Sequence, residues 1–241
     1  MTSPRRSSET GASGASAPSA RFGWLIDLDH TLFDREAVFA AWATWLDPTR
    51  STELIELDQR LAWPAFDRAV AAGWPARFAN AGAFRAHLQE QLPTFVPARP
   101  ELADVLGSLP GPLGLLSNGS VTAQRAKLRR LGLESCFDAI LISGELGVEK
   151  PDRAIFQRAL AALGCDRGCM VGDDPVRDIA GARAAGLRTC WISWGRDWPG
   201  GPRPDLVVPR IERLPALCET VGWIRRANTS EVCERATVDS T

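Results

Sequence analysis

Two acidic residues and a threonine stand at alternate positions after a short apolar run near the start of the chain. Residues 23–26 are apolar, and Asp27, Asp29 and Thr31 follow them. Carboxylates at this spacing can bind a hard divalent cation such as Mg²⁺, and each can act as a nucleophile or as a general acid/base. The pattern alone indicates little, because acidic pairs after strands usually belong to turns or helix caps.

Groups that can bind anions or cations also follow three later apolar runs. In chain order they are Ser117, Asn118 and Gly119; Lys150; and Asp173, Asp174 and Asp178. The carboxyl ends of parallel strands lie at one edge of a sheet, which is where ligands bind in open α/β folds. If the runs are parallel strands, all four groups meet at one rim. A purely structural explanation would require four unrelated features, such as turns, helix caps and surface charges, to follow the four apolar runs in this order by coincidence.

The elements that must position these groups can be read from the apolar patterns. Six short, nearly continuously apolar runs predict strands that are covered on both faces. They span 23–27, 112–117, 139–143, 169–173, 189–193 and 205–208. Helical patterns alternate with the later strands over 121–131, 151–163 and 175–185, each followed by a glycine. This alternation predicts an α/β fold with a doubly wound, Rossmann-like parallel sheet.

Residues 34–99 break the alternation. Successive amphipathic helical patterns cover 36–46, 52–61, 64–72 and 76–92, with no strand between them. We therefore predict a small helical cap domain over 34–99, inserted into an α/β core that spans 21–33 and 100–226. The polar segments 1–20 and 227–241 are predicted to be disordered tails.

The composition argues against a membrane protein or an obligate nucleic-acid binder. The formal net charge is −1, so no charge imbalance favours nucleic acid or an anionic membrane. No apolar run approaches the ~18–20 residues of a membrane span, and no secretory signal is recognisable. The six cysteines form no CxxC pair and no zinc pattern, which fits reduced thiols. We expect a cytoplasmic protein whose partner is a small molecule, and the sequence leaves its oligomeric state open.

The four polar groups together resemble the motifs of the haloacid-dehalogenase-like (HAD) hydrolases. The matching stretches are WLIDLDHT, LLSNG, EKP and VGDDPVRD, and the likeness covers about residues 21–215. The helical segment is similar to the family's cap of the first type. The resemblance implies a phosphatase that hydrolyses a small phosphate ester with Mg²⁺ through an aspartyl-phosphate intermediate.

The same resemblance assigns roles to the candidate residues. Asp27 corresponds to the nucleophile and Asp29 to the general acid/base, which requires a raised pKa for Asp29 while Asp27 stays ionised. Mg²⁺ would be bound by Asp27 and Asp173, with the backbone carbonyl of Asp29 as a third ligand. Lys150 would place a compact positive charge against the phosphate.

The remaining candidates support these groups. Thr31, Ser117 and the amides around Asn118 and Gly119 would donate hydrogen bonds to the phosphoryl oxygens. Asp178 would orient Lys150 or a metal-bound water. Asp174 is a weaker candidate metal ligand, and His30 is expected to point away from the chemistry. Lys127, on a helix beside Arg125 and Arg129, is interpreted as part of a solvated face.

Several functions stay open. Haloacid dehalogenases share the fold but attack carbon and need neither Asp29 nor magnesium, while phosphomutases share all four motifs. A catalytically silent binding protein would be expected to lack one of four residues, and none of them is missing here: Asp27, Asp29, Lys150 and Asp173. The substrate could be a nucleoside monophosphate or flavin-type phosphate, or else a phosphosugar or phosphoglycolate. Four tryptophans of the predicted cap either pack its core or stack on a planar leaving group, with Trp63 and Trp74 the better candidates for stacking; they are Trp42, Trp45, Trp63 and Trp74.

Overall fold

The fold is known from a computed structural model, which describes residues 21–223. The predicted tails at 1–20 and 227–241, and Cys233 with them, lie outside the described residues. Six parallel strands form one sheet in the order β3-β2-β1-β4-β5-β6. The strands are β1 (Phe22–Ile26), β2 (Leu113–Ser117), β3 (Ala139–Ile142), β4 (Arg167–Gly172), β5 (Arg188–Ile192) and β6 (Leu206–Val208). The predicted α/β, doubly wound parallel sheet is confirmed.

The strand order places a topological switch at β1. The chain builds β2 and β3 on one side of β1, then returns to build β4, β5 and β6 on the other. Ligands of open α/β sheets bind in the crevice at such a switch, beyond the carboxyl ends of the strands. Asp27, the first residue after β1, donates its backbone N–H to the Val171 carbonyl of β4 at 2.9 Å, so its position is fixed by the sheet.

Alternate residues of the strands pack on opposite faces of the sheet, as the two-residue period of a strand requires. Trp24 and Ile26 belong to the larger apolar cluster, while Leu25 between them belongs to a second cluster with Leu116 and Met170. Both faces are therefore covered, which explains why the strands read as continuous apolar runs.

Helices of the core connect the strands and end as the sequence indicates. The helix Val121–Leu131 begins after the Ser120 cap, whose hydroxyl accepts from the Ala123 N–H, and it ends before Gly132, whose φ of 76° suits glycine. The predicted helix over 175–185 is instead a π-helical turn, Pro175–Ala180, that continues into a short α-helix. The core helices are α5 (Leu102–Gly107), α6 (Val121–Leu131), α7 (Ser143–Leu146), α8 (Arg153–Ala162), α9 (Gly181–Ala184) and α10 (Leu214–Thr220).

Between β1 and α5 the chain forms four α-helices and a final 3₁₀ turn. They are α1 (Arg35–Leu46), α2 (Ser51–Arg60), α3 (Ala65–Gly73), α4 (Ala81–Gln91) and the turn Leu92–Phe95. We call residues 34–99 the helical insert. Its fourth helix begins later than predicted, because the Asn80 side chain accepts from the Ala83 N–H and caps α4 there. The fully buried rings of Trp42, Phe66 and Phe84 pack inside the insert.

Among the described residues, no helix combines the length and the apolar composition that crossing a membrane requires.

Candidate active site

A cavity of about 300 Å³ lies between the rim of the sheet and the helical insert. Its floor contains the groups that follow β1, β2 and β4, together with Lys150. Its opposite wall comes from the insert. Of the predicted site residues, it is lined by Asp27, Asp29, Ser117, Asn118, Gly119, Lys150, Asp173 and Asp178, and also by Asp174.

The Asp27 carboxylate is buried and bonded on two sides. Its Oδ1 accepts a hydrogen bond from Lys150 Nζ at 2.6 Å, and its Oδ2 accepts one from Thr31 Oγ1 at 3.2 Å. The Lys150 ammonium also donates to Asp178 Oδ1 at 2.7 Å and to the Leu116 carbonyl at 3.0 Å. Its three hydrogens thus have three acceptors. Asp178 thus contacts Lys150 directly, as one of the two roles predicted for it requires, and that role stays a prediction.

Thr31 does not line the cavity. It is buried, with a relative exposure of 1%, and its hydroxyl donates a hydrogen bond to the Asp27 carboxylate rather than to a phosphoryl oxygen. It therefore orients the carboxylate.

Negative charge is in excess around Asp27. Burial raises the pKa of Asp27 to about 8, since the Lys150 ammonium only partly offsets burial and the repulsion from Asp178 and Asp173. Burial alone would lower the pKa of Lys150, but the Asp178 and Asp27 carboxylates outweigh it and raise that pKa. Lys150 is therefore charged, and one ammonium is shared between two buried carboxylates.

Asp29 has different surroundings. Both of its carboxylate oxygens accept from Lys127 Nζ, at 2.7 and 2.9 Å, and Oδ2 also accepts from Gln124 Nε2 at 2.8 Å. Burial favours the neutral acid, but Lys127 and Gln124 outweigh it and hold the pKa of Asp29 below its usual range. Without a cation in the site, the two acids are thus ordered oppositely to the expectation of a raised pKa at Asp29 and an ionised Asp27.

The loop after β2 is held to the loop that carries Lys150. Asn118 Nδ2 donates to the Lys150 carbonyl at 2.9 Å, and the Lys150 N–H donates back to Asn118 Oδ1 at 2.9 Å. Gly119 has φ 140°, and a Cβ there would lie 3.1 Å from the Gln124 side chain. Its N–H donates to Ser143 Oγ at 3.0 Å, while Ser117 Oγ accepts from Gln124 at 2.7 Å.

Three carboxylates approach one another at the end of β4 and β1. One oxygen from each of Asp27, Asp173 and Asp178 lies within 4.8 Å of the others. Gly172 makes this approach possible, because a Cβ at that position would lie 2.3 Å from the Asp178 carboxyl carbon. Asp174, the weaker candidate ligand, instead caps the π-helical turn by accepting from the N–H groups of Val176 and Arg177.

These carboxylates fit a magnesium ion. Mg²⁺ prefers hard oxygen ligands, and it is usually bound by one or two carboxylates with water and substrate oxygens. Burial raises the pKa of Asp173 to about 7, together with the Asp178 charge, although Arg196 donates to Asp173 Oδ2 at 3.0 Å. A divalent cation would relieve the repulsion recorded in the raised pKa values of Asp27 and Asp173. The Asp29 carboxylate lies with Lys127 and not in this cluster.

The insert contributes an aromatic and basic wall to the cavity. Trp63 is 45% exposed and lines the cavity, with the Arg85 guanidinium 3.5 Å from its ring centre. Arg85 in turn is paired with the buried Asp67 at 2.6 Å. The wall is completed by Arg35, Leu88, Gln89, Leu92 and Pro93.

The tryptophan interpretation needs two corrections. Trp74 is buried and donates to Asp47 Oδ2 at 2.9 Å, so it does not reach the cavity. Trp45 is 51% exposed and stacks on His87, so it neither packs in the core nor lines the cavity, whereas Trp42 on the same helix is fully buried. Helix α1 buries one face, which includes Trp42 and Leu46, and Trp45 lies beside that face.

Lys127 differs from expectation, whereas the expectation that His30 points away from the chemistry stays a prediction. His30 lines the cavity with φ 58°, its carbonyl accepts a hydrogen bond from Trp194 Nε1, and its Nε2 lies 3.8 Å from Glu36 Oε1. Lys127 is buried and bonded to Asp29, so its interpretation as part of a solvated face is wrong. The sequence patterns did not identify Gln124 as a site residue. The helical spacing could have indicated that Gln124 and Lys127 are buried, because both lie on the same side of α6 as Leu128 and Leu131.

Relatives with assigned activities match part of the chain. The phosphoserine phosphatase of Thermus thermophilus is 43% identical over 106 residues, which are 42% of this chain and 42% of that protein. The pyrimidine 5'-nucleotidase YjjG of Escherichia coli is 39% identical over 109 residues, 44% of this chain and 48% of that protein. The chain thus spans less than half of the length of these relatives.

The whole fold has relatives among solved structures. The structure of YfnB from Bacillus subtilis, described as a HAD-hydrolase bound to magnesium, aligns with a TM-score of 0.68. It covers 83% of this chain and 99% of that chain at 18% identity, which is a likeness of fold. A family model described as haloacid dehalogenase-like hydrolase matches residues 24–186, from β1 through the π-helical turn. The chain therefore belongs to the haloacid dehalogenase-like hydrolase family.

Proposed function

We propose that this protein is a magnesium-dependent phosphomonoester hydrolase that acts on a small phosphate ester through an aspartyl-phosphate at Asp27. The observation that carries the proposal is the environment of Asp27. Its carboxylate faces the cavity, is bonded to an ammonium, and has Asp173 and Asp178 within 4.8 Å. A second acid, Asp29, stands in the same cavity with its own partners. Phosphoryl transfer requires this combination of a positioned nucleophile, a cation site and a separate acid/base.

The first step requires Asp29 to carry a proton, although Lys127 and Gln124 lower its pKa in the structure. An Asp27 oxygen attacks phosphorus, the bond from phosphorus to the ester oxygen breaks, and the leaving oxygen takes that proton from Asp29. In the second step, water attacks the phosphorus of the aspartyl-phosphate and gives a proton to Asp29. Inorganic phosphate leaves and the Asp27 carboxylate is restored. Lys150, Ser117 and the loop at Asn118 supply positive charge and hydrogen-bond donors to the phosphoryl oxygens.

Magnesium would be held by Asp27 and Asp173, with the Asp178 carboxylate and the Asp29 backbone carbonyl as further oxygen donors. When bound, it neutralises the charge between the nucleophile and the phosphoryl group. The chain's own part is to hold these oxygens at one rim. The alignment of β1 with β4 and the absence of a side chain at Gly172 do this.

Phosphate esters are favoured over haloacids as substrates. Attack on carbon with loss of halide needs no acid at Asp29 and no cation beside Asp27. This chain has both an Asp29 lining the cavity and a carboxylate cluster. A phosphomutase would use the same groups, and it differs in transferring the phosphoryl group to a second hydroxyl and not to water.

The leaving group would lie against the insert. Trp63 and the apolar residues Leu88 and Leu92 offer a surface for a planar group, such as a nucleobase or flavin. The guanidinium groups of Arg35 and Arg85 stand beside them and could equally receive the oxygens of a phosphosugar or phosphoglycolate. We propose the planar class first because Trp63 is the exposed aromatic ring of this wall.

The test is hydrolysis of a panel of phosphomonoesters by the purified chain with Mg²⁺. The panel contains 4-nitrophenyl phosphate, nucleoside monophosphates, flavin mononucleotide and phosphoglycolate. A chelator should reduce kcat/KM at least about a hundredfold, because a catalytic cation supplies several kcal/mol, and added Mg²⁺ should restore it. Release of inorganic phosphate without a phosphorylated product separates hydrolase from mutase.

The nucleophile is tested by rapid acid quenching with a radiolabelled substrate, which should trap an acyl-phosphate. Asp27→Asn should carry no label, whereas the exposed control Asp104→Asn should label like the wild type. Activity that survives complete chelation would contradict the metal assignment, and a labelled Asp27→Asn protein would contradict the nucleophile.

A further inference from the structure

Both lysines of the chain end in the same cavity. Of its 28 basic residues only Lys127 and Lys150 are lysines, the other 26 being arginines. Lys150 Nζ lies 2.6 Å from Asp27, and Lys127 Nζ lies 2.7 Å from Asp29. The proposed function uses Lys150 but leaves Lys127 without a task.

Lys127 does not act alone on Asp29. Gln124, one turn earlier on α6, donates to Asp29 Oδ2 at 2.8 Å. The same amide nitrogen lies 2.7 Å from Ser117 Oγ and 3.1 Å from the Asn118 carbonyl. Residues three apart on a helix share a face, so α6 presents two donors to one carboxylate and ties it to the loop after β2.

A structural ion pair does not explain these contacts well. Lys127 is 8% exposed, and burying an ammonium is costly unless a partner is placed to receive it. Solvated cations on the same helix, such as Arg129 and Arg130, are arginines and are exposed. A compact ammonium reaches both oxygens of Asp29 in a space where a planar guanidinium would need its own fork of acceptors.

Asp29 needs such support because of where it stands. It follows the end of β1 in a loop, where it forms only an isolated bridge with Phe33. Its side chain is 27% exposed, and the residue lines the cavity. A misplacement of about 1 Å in a reacting group can cost about a hundredfold in rate.

We propose that Lys127 and Gln124, here called the Asp29 clamp, are positioning residues that hold the Asp29 carboxyl group beside the leaving oxygen of the substrate. The inference rests on the proposed phosphatase function and adds the residues that aim its acid/base. The clamp exchanges no proton with the substrate. When the bond from phosphorus to the ester oxygen breaks, the electron pair stays on that oxygen, which takes the proton carried by Asp29.

The test compares two classes of leaving group in single turnover. Lys127→Met keeps the length of the side chain and removes its charge; the control Arg130→Met makes the same charge change on the exposed side of α6. For an alkyl phosphate, whose leaving oxygen needs a proton, Lys127→Met should slow phosphoenzyme formation about a hundredfold. For 4-nitrophenyl phosphate, whose leaving group departs without one, the loss should be below about fivefold.

A positioning role makes three further demands. KM for the alkyl phosphate should change by less than about threefold, because in the proposed role Lys127 acts on Asp29 and not on the bound substrate, so the loss lies in kcat. Lys127→Arg should recover part of the rate, and Gln124→Met should show the same leaving-group dependence with a smaller loss. In an Asp29→Asn background, Lys127→Met should have an effect of less than about twofold, because its action passes through Asp29.

The outcomes separate this inference from the proposed function. If the wild type hydrolyses no phosphomonoester, the proposed function fails. If it is active and Lys127→Met behaves like Arg130→Met, or loses equal rate on both classes of leaving group, the clamp fails alone. Should Lys127→Met not fold, as judged by its unfolding transition, the same comparison on Gln124→Met decides.

Discussion

Asp27 and Asp29 are two residues apart, and each is bonded to one of the chain's two lysines, yet their pKa values shift in opposite directions. Burial and two acidic neighbours raise the pKa of Asp27 to about 8, although Lys150 opposes them. Burial also acts on Asp29, but Lys127 and Gln124 overcome it and lower its pKa. The difference lies in how many carboxylates share each cation. Among the residues that the structure describes, Lys150 pairs with both Asp27 and Asp178, whereas Lys127 pairs with Asp29 alone.

The comparison indicates a division of the cavity. At the Asp27 end, the described side chains leave negative charge in excess, and a divalent cation would complete the site. At the Asp29 end, charge is balanced by the protein itself, and the carboxylate is positioned before any ligand arrives. The phosphoryl group would therefore bind at the Asp27 end, which requires a cation, and the leaving group at the Asp29 end, where the carboxylate already has its partners.

The largest expected effect tests this division directly. Asp27→Asn should abolish both turnover and phosphoenzyme on every substrate, because the amide does not attack phosphorus. Asp29→Asn should slow phosphoenzyme formation from alkyl phosphates by roughly 10²–10⁴-fold and from aryl phosphates much less. Rapid-quench kinetics measure both. Equal losses for aryl and alkyl substrates in Asp29→Asn would remove the distinction between the two ends.

A smaller effect is expected at the cation of the Asp27 end. Lys150→Arg keeps the charge but not the three short contacts of the ammonium, so kcat/KM should fall roughly a hundredfold, the equivalent of about 3 kcal/mol for charge-assisted hydrogen bonds. Steady-state kinetics with 4-nitrophenyl phosphate measure it. Arg153→Lys, the reverse exchange at an exposed position of α8, should change little. Near-normal kinetics in Lys150→Arg would show that any cation suffices there.

The leaving-group end should show a substrate-dependent effect of about tenfold. Trp63→Leu removes an exposed ring from the cavity wall, and stacking on an aromatic ring contributes ~1–3 kcal/mol per base. The kcat/KM for nucleoside monophosphates or flavin mononucleotide should fall, while that for phosphoglycolate should hardly change. Trp45→Leu is the control, since Trp45 is exposed but stacks on His87 away from the cavity. Equal losses on all substrates would exclude stacking.

The smallest expected effect concerns His87. Burial disfavours the charged form of any group, so it raises the pKa of an acid such as Asp27 and lowers the pKa of a base such as His87. His87 packs among Trp45 and Phe78, and its buried Nε2 has no hydrogen-bond partner within residues 21–223. Burial, with repulsion from Arg77, lowers its pKa, while Glu90 opposes the shift.

Below the usual histidine pKa of about 6.5, the unfolded chain therefore takes up a proton that the native protein does not. The free energy of unfolding should fall as the pH drops from that value to the lower native pKa, and then level off. His87→Phe should make this fall shallower, as measured by urea unfolding at several pH values. An unchanged slope would mean that His87 titrates normally in the native protein.

The sheet and the four groups on its rim could be predicted from the sequence. Each strand is a short apolar run, and the observed ends lie close to the predicted ones. The short helices α5, α7 and α10 are not predicted, because four to seven residues carry too little periodicity. The late start of α4 depends on the cap at Asn80.

The partners of Asp29 could not be predicted in the same way. Lys127 lies 98 positions from Asp29 along the chain. Its neighbours Arg125, Arg129 and Arg130 gave α6 the pattern of a solvated face. The spacing of Leu128 and Leu131 can indicate that Lys127 is buried, but only the packing of α6 against the loop after β1 brings it to Asp29. For the same reason the pattern of α1 did not separate the buried Trp42 from the exposed Trp45.

The paired hydrogen bonds between Asn118 and the Lys150 backbone have a practical consequence. They fix the loop that carries Lys150 through amide groups, without any contribution from the Asp27 carboxylate. An Asp27→Asn protein should therefore retain its ammonium, its remaining acids and its cavity wall while having no nucleophile. Such a protein is a reagent for capture: incubated with Mg²⁺ and a metabolite extract, then washed and denatured, it should release the phosphate ester that fits its cavity for identification by mass spectrometry.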